Sequence, residues 1–252
     1  MRRLSKDEAR AEVWGDLQKV AAPDSRFHWD FNEFIPDYEG SKRCTERLVK
    51  LPEYRDETSI IFITPDNNLN SLRARCIKDG KPFIMPTYGI RRGFLYLDPG
   101  QVPDGQEIFA STLDGMDYFG RRVTLDQIKE ITDDIEPLVT GASVITLSGI
   151  RCGKGHGFFD LEWAMLRMKG LVDEKTSIYA VAHACQVVEG LELEPTEFDS
   201  VVDGIITNEE FIPIDSRHPK PEGIVWDKLE EGMLENIPPL QQLYKEKETG
   251  NS

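Results

Sequence analysis

The residues best suited to chemistry lie in one stretch, Gly149-Ile-Arg-Cys-Gly-Lys-Gly-His-Gly-Phe-Phe-Asp160. Gly153, Gly155 and Gly157 alternate with Lys154 and His156, so the backbone can turn sharply, reach left-handed dihedrals and aim several N–H groups at one ligand. Arg151 stands just before the glycines and Asp160 just after them. Leu161, Ala164, Met165 and Met168 recur at helical spacing and Gly170 is a stop, which predicts a helix opening near Asp160. Its positive end favours an anion, so the stretch suits a phosphate group. It matches neither G-x-x-x-x-G-K-[ST] nor G-x-G-x-x-G, so it is neither a P-loop nor a dinucleotide fingerprint. By spacing alone it is equally a glycine-rich connection with Asp160 as a helix N-cap.

The elements that must position this stretch are legible in part. Ser5-x-x-Glu8 has the form of a capping box, and Ala9, Val13, Leu17 and Val20 mark one face of a helix ending before Pro23. Lys6 and Arg10 fall within that apolar stripe and point towards the body of the protein, or snorkel past it. Residues 24–40 read as an ordered loop anchored by Phe27, Trp29, Phe31 and Phe34. Helices are expected over 41–51, 69–78 and 124–131, and strands over 59–63, 82–85, 144–147 and 177–182. A terminal strand follows Asp203. The alternation implies an α/β fold with a mostly parallel central sheet, helices on both faces and ligands beyond the carboxyl ends of strands. Residues 86–120 are turn-rich, and Arg91 and Arg92 there read as a pocket lining or a solvated pair.

Composition bounds the function. A formal charge of −15 over 252 residues disfavours nucleic acid and anionic membrane, which both demand many Lys and Arg contacts. No stretch approaches a membrane span, and the amino terminus lacks a secretion-type apolar segment, so a cytoplasmic location is expected. Cys44, Cys76, Cys152 and Cys185 form no C-x-x-C pair and suit reduced thiols, with Cys152 a small filler in the loop.

The motif Gly-x-Arg-x-Gly-x-Gly-x-Gly-aromatic-aromatic-Asp resembles the signature of the 5-formyltetrahydrofolate cyclo-ligase (5,10-methenyltetrahydrofolate synthetase) family. The similarity extends to Leu51-Pro-Glu-Tyr, Gln186-Val-Val and Asp199-x-x-x-Asp203, in the expected order. The resemblance implies a CoA transferase-like α/β domain over residues 1–207, with residues 208–252 as an extension ending in a loose tail. It implies ATP and Mg2+ as cofactors and a reduced folate as substrate, in a monomer or homodimer. Residue by residue, it implies Lys6, Arg10, Arg151, Gly153, Lys154, Gly155, His156, Gly157 and Phe158 at the nucleotide, with Lys6 and Arg151 in catalysis. Phe159, Trp163 and Gln186 are then expected at the folate, Asp160 and Asp199 at magnesium, and Asp203 as an orienter of backbone. Lys154 and His156 replace residues of the usual Gly-Tyr-Gly-Gly-Gly-Tyr-Tyr-Asp-Arg, and Phe158-Phe159 lack its tyrosine hydroxyls. Asp66-Asn67-Asn68 stands where a Glu-Val-Asp-Thr is usual, and Phe198-Asp199 where His-Asp is usual. These departures resemble the methenyltetrahydrofolate synthetase domain-containing branch. They leave a second reading open, a non-catalytic nucleotide- or pterin-binding homologue with a regulatory role.

Overall fold

A computed structural model describes residues 2–215 and 218–250. The capping box forms as expected and opens α1 (Lys6–Val20): the Ser5 hydroxyl accepts from Glu8 N while the Glu8 carboxylate accepts from Ser5 N. Phe31 and Phe34 then bury against Leu17, but Trp29 is 40% exposed and anchors less than expected. The chain continues through α2 (Ser41–Leu48), β1 (Ile60–Ile63), α3 (Asn70–Lys78), β2 (Phe83–Pro86), β3 (Phe94–Leu97), β4 (Arg121–Val123) and α4 (Leu125–Ile131). Between β3 and β4 the turn-rich stretch folds into two short helices, Glu107–Ala110 and Leu113–Phe119. Thr124 caps α4 with a second capping box.

The strand β5 (Ile135–Gly141) was hidden in the sequence because Pro137 argues against a central strand, having no N–H for the ladder. It is nonetheless central, between β1 and β8 (Ile178–Ala182). The register against β1 shifts between Ile60 and Phe62, so the ladder passes over the proline. Among the described residues the main sheet has eight strands in the order β11-β10-β8-β5-β1-β2-β3-β4, where β10 is Gly204–Thr207 and β11 is Phe211–Pro213. The pairings from β10 to β2 are parallel and the outer ones antiparallel.

Strand residues alternate between two cores, as a period of two requires. Ile60 and Phe62 face a cluster with Trp163, Leu166 and Leu240, while Ile61 and Ile63 face one with Cys44, Leu48 and Leu72. Both faces of the sheet are therefore covered by helices, the expected α/β arrangement.

The strand expected to feed the glycine loop lies elsewhere. β6 (Val144–Thr146) leaves the main sheet and forms a small three-stranded sheet between β9 (Val187–Val188) and β7 (Arg151–Cys152). The loop follows β7, and α5 (Phe158–Met168) follows the loop. α1 packs Ala9 and Val13 onto this small sheet, against Val144, Ile150 and Cys152. That docking brings the first helix over the glycine loop. At the other end of the chain, α6 (Pro238–Thr249) buries Leu240 and Leu243 in the same core as α5.

Candidate functional site

The helix α5 begins two residues earlier than expected, with Gly157 as its N-cap in the left-handed region. Asp160 is therefore not the cap. It lies in the first turn, and its Oδ1 accepts from Arg151 Nη2 (2.7 Å), Ser200 N (2.8 Å) and Ser200 Oγ (2.6 Å). One carboxylate oxygen thus ties β7, α5 and the segment before β10 together. Asp203 orients backbone, accepting from Ile178 N at 2.8 Å.

Beside Asp160 the loop opens. Gly155 has φ +115 and Gly157 φ +63, conformations that a side chain would strain. A Cβ on Gly155 would sit 3.4 Å from the Arg10 guanidinium, so the missing side chain leaves room that a ligand oxygen can use. Arg10 is buried, reaches Gly153 O at 3.4 Å and pairs with Asp7. Lys6 Nζ contacts both oxygens of the buried Asp199, at 2.6 and 2.7 Å, and lies 6.0 Å from the Phe198 ring centre. Asp199 Oδ2 also accepts from Thr196 N at 2.7 Å. The inward direction read from the azimuths of Lys6 and Arg10 is the one they take.

These groups line one cavity of about 350 Å3. Lys6, Arg10, Arg151, Gly153, Lys154, Gly155, His156, Gly157, Phe158, Phe159, Asp160 and Asp199 all border it. The Arg151 guanidinium stacks 4.3 Å from the Phe159 ring centre. Its Nη2 is taken by Asp160 and Ser200, but its Nε is buried without a partner, a donor that suits an anion's oxygen. Lys154 turns away, its ammonium 4.4 Å from the centre of the Tyr88 ring, and His156 Nδ1 lies 3.9 Å from Glu230. Cys152 is a buried thiol, pushed up to about 11 by desolvation, which fits a filler and not a nucleophile.

Two expected folate contacts are not in this lining. Trp163 is fully buried, and its indole N–H donates to Pro221 O at 2.8 Å. It faces the core because the Asp160 side of α5 holds the loop and the opposite faces meet the sheet and α6. Gln186 is equally buried, donates to Ala142 O and Ser143 O, and accepts from His183 N at 2.7 Å. Its amide stitches the turn after β8 to the start of β6. Arg92 pairs with Asp117 and Arg91 is exposed; neither lines the cavity.

The sequence reading missed three contributors. Gly223, Ile224, Lys228, Leu229, Glu230 and Met233, from the carboxyl-terminal extension, close one side of the cavity. Their sequence carries no periodicity that points to a ligand. Asp66, beyond β1, was singled out as a departure but not as a lining group; its Oδ2 accepts from Thr64 Oγ1 (2.5 Å) and Gly141 N (3.0 Å). Glu162 was not singled out as a lining group. It is 3% exposed, its Oε2 has no partner, and burial, then the charge of Asp66, pushes its carboxyl well above the usual range. The signal was present as a second acid, after Asp160, inside the otherwise apolar Phe-Phe-Asp-Leu-Glu-Trp-Ala-Met-Leu, on the face of Phe158.

The lining can accommodate both expected cofactors. The glycine backbone, Lys6, Arg10 and the free Arg151 Nε offer donors to phosphates. Among the described residues no three His, Cys, Asp or Glu gather as a metal cage. Magnesium does not need one, because it commonly takes one or two carboxylates together with substrate phosphates, and Asp160 and Asp199 border the same space.

Comparison with known proteins bears on what occupies that space. A model of the 5-formyltetrahydrofolate cyclo-ligase family matches residues 2–208. The sequence is similar to methenyltetrahydrofolate synthase domain-containing proteins of Danio rerio and Homo sapiens. Each is 30% identical, over 241 and 243 residues, covering 95% of this chain. The chain spans 61% of the length of these relatives. The fold is also that of the Aquifex aeolicus 5,10-methenyltetrahydrofolate synthetase solved by NMR. That likeness has a TM-score of 0.52 at 18% identity and covers 84% of this chain and 94% of that one. No helix among the described residues is long and apolar enough to cross a membrane.

Proposed function

The chain belongs to the 5-formyltetrahydrofolate cyclo-ligase family, and from that premise we propose that it uses ATP and Mg2+ to convert 5-formyltetrahydrofolate to 5,10-methenyltetrahydrofolate. One observation carries the reading: Lys6, Arg10, Arg151 and the Gly153–Gly157 backbone converge on a single cavity at the start of α5. In the proposed reaction the formyl oxygen takes the γ-phosphoryl group of ATP, with ADP leaving. N10 then attacks the activated carbon, and phosphate departs with that oxygen.

No protein nucleophile is required; positioning and charge neutralisation are. The glycine N–H groups and Arg151 Nε hold phosphate oxygens, and Lys6 and Arg10 offset the charge that spreads over the transferred group. Asp160 and Asp199 would hold magnesium, which when bound neutralises phosphate charge. Phe158 and Phe159 shield the reacting groups from water on the α5 side. Asp160 also fixes Arg151 through its shared oxygen, so one carboxylate orients the cation before any ligand arrives.

A second reading has one observation behind it. The Lys6–Asp199 and Arg151–Asp160 pairs already satisfy much of the cationic wall, as in a module that binds nucleotide without turning it over. The test for both is consumption of 5-formyltetrahydrofolate by the purified protein with ATP and magnesium, followed by the absorbance of the methenyl product alongside ADP release. Product in step with ADP supports the ligase. ATP binding with neither product supports the binding module.

A further inference from the structure

The carboxyl-terminal extension brings to the cavity a cation that the protein leaves unused. Every other basic group of the lining has a partner: Lys6 holds Asp199, Arg10 holds Asp7, Arg151 holds Asp160, Lys154 lies on the Tyr88 ring and His156 faces Glu230. Lys228 borders the same space and is exposed, and among the described residues its ammonium meets no carboxylate, carbonyl or ring. It stands on a strap, residues 222–236, that is pinned at both ends. At one end Pro221 O accepts from the Trp163 indole at 2.8 Å, and Lys220 Nζ donates to Thr176 O at 2.6 Å and to Asp203 Oδ2 at 2.7 Å. At the other end Ile237, Leu240 and Leu243 are buried in the core beneath α5. Between the pins, among the described residues, the hydrogen bonds of the strap stay within it or come from Ile237 and the start of α6. Its grip on the body is therefore apolar, through side chains such as Ile224, Leu229 and Met233, together with the 3.9 Å approach of Glu230 to His156. Apolar contact is non-directional, so such a segment can settle over a ligand without breaking a hydrogen-bond ladder.

We propose that Lys228 is a phosphate-binding residue, carried by the strap onto the polyphosphate of a nucleotide held on the glycine loop. The inference rests on the nucleotide reading above and deepens it with a contact from outside residues 2–208, the part that the family model covers. The Glu230–His156 approach fixes the place, because His156 lies between Gly155 and Gly157 and Lys228 stands two residues before Glu230. An ammonium is a compact charge with three donors on a flexible stem, so it can meet phosphate oxygens from the open side of the cavity. Its advantage is electrostatic. Lys6 and Arg151 must exchange a carboxylate for phosphate, whereas Lys228 gives up no protein partner. It also adds positive charge where Asp160, Asp199 and a chain of formal charge −15 otherwise repel a polyphosphate.

The test compares the unmodified full chain with Lys228→Met, which keeps the stem and removes the charge, and with Lys228→Arg, which restores the charge. In calorimetric titrations against ATP with magnesium, affinity should fall by about three- to tenfold in Lys228→Met, the size of one partly exposed charge contact, and return in Lys228→Arg. The melting temperatures of the ligand-free proteins should agree, because no protein partner of Lys228 is lost. In the unmodified protein, saturating ATP should also slow tryptic cleavage after Lys228 relative to cleavage after Lys175, which is exposed in a turn outside the lining. A lysine held on phosphate cannot enter the protease's specificity pocket. Unchanged ATP affinity in Lys228→Met, or cleavage after Lys228 that ignores ATP, would overturn the contact and leave Lys228 a solvated charge. An equal loss of affinity in Lys228→Met and Lys228→Arg would overturn it too, since the charge would then do nothing. Failure of the unmodified protein to bind ATP would overturn the nucleotide reading together with the inference.

Discussion

The two walls of the cavity solve opposite electrostatic problems. On the glycine-loop wall three cations each reach a carboxylate: Lys6 holds Asp199, Arg151 holds Asp160 and Arg10 holds Asp7. On the second wall Asp66 accepts from Thr64 Oγ1 and Gly141 N, while the buried Glu162 Oε2 has no partner. The first wall is stable before a ligand arrives and must exchange partners when phosphate enters. The second carries an unpaired acceptor, a penalty of about 1–3 kcal/mol for a buried polar group. The difference teaches that preorganisation and readiness to bind are separate properties. Ion pairs hold the phosphate wall in shape, whereas unmet hydrogen-bonding capacity marks where a ligand is still missing.

The largest effect should come from closing the first wall. Gly155→Val puts a β-branched side chain at φ +115 and a Cβ against Arg10. The strain is about 1–3 kcal/mol, but the blocked cradle should cut ATP affinity by about a hundredfold or more. Titration calorimetry measures the affinity, and an unchanged far-UV circular dichroism spectrum shows that the fold survives. Unchanged affinity would mean that phosphate does not sit on this loop.

Asp160→Asn sharpens the comparison by removing charge and keeping shape. Were Asp160 only a helix cap, asparagine would serve about as well. Because it instead pairs with the buried Arg151 and accepts from Ser200, the ligand-free protein should lose about 1–3 kcal/mol in denaturant unfolding. Magnesium-dependent turnover should fall by about tenfold or more, as loss of an anionic oxygen ligand implies. A stability loss without a kinetic one would confine Asp160 to fixing Arg151.

A smaller effect is written in pH. Burial raises the Cys152 thiol to about 11 from an ordinary value of 9.0. The folded protein therefore keeps the proton that the unfolded chain gives up first. Below pH 9 this group takes nothing from stability, and between pH 9 and 11 stability is lost, by up to about 2–3 kcal/mol. The difference in unfolding free energy between Cys152→Ala and the unmodified protein should be flat from pH 7 to 9 and then shift in favour of the variant. A flat difference throughout would place the thiol in contact with water.

The smallest effect lies outside both walls. Trp163→Phe deletes the hydrogen bond to Pro221 O and should cost about 0.5–1.5 kcal/mol, plus a small packing defect. Folate affinity should not change. A fall in affinity without a matching loss of stability would return Trp163 to the substrate.

Local signals in the sequence determined much of this protein. The capping box at Ser5, the apolar stripe behind it and the continuous apolar runs at Ile60–Ile63 and Ile178–Ala182 each state a conformation within a few residues. The alternating glycines state a backbone conformation too, and Gly155 and Gly157 adopt the positive φ values that only glycine takes cheaply. What the sequence could not state depended on contacts between distant segments. Pro137 hid a central strand because the register shift that accommodates it exists only against β1. Asp160 looked like a cap because the partners that define it, Arg151 and Ser200, are brought together by β7 and by the approach to β10. The wall from residues 223–233 has no local pattern, since its form is set by packing over α5. Glu162 shows the division most sharply. Its charge in an apolar helix was visible, but only the fold decided that it would be buried at the cavity with Oε2 unpartnered, because burial and pairing are properties of the assembled cavity and not of any one segment.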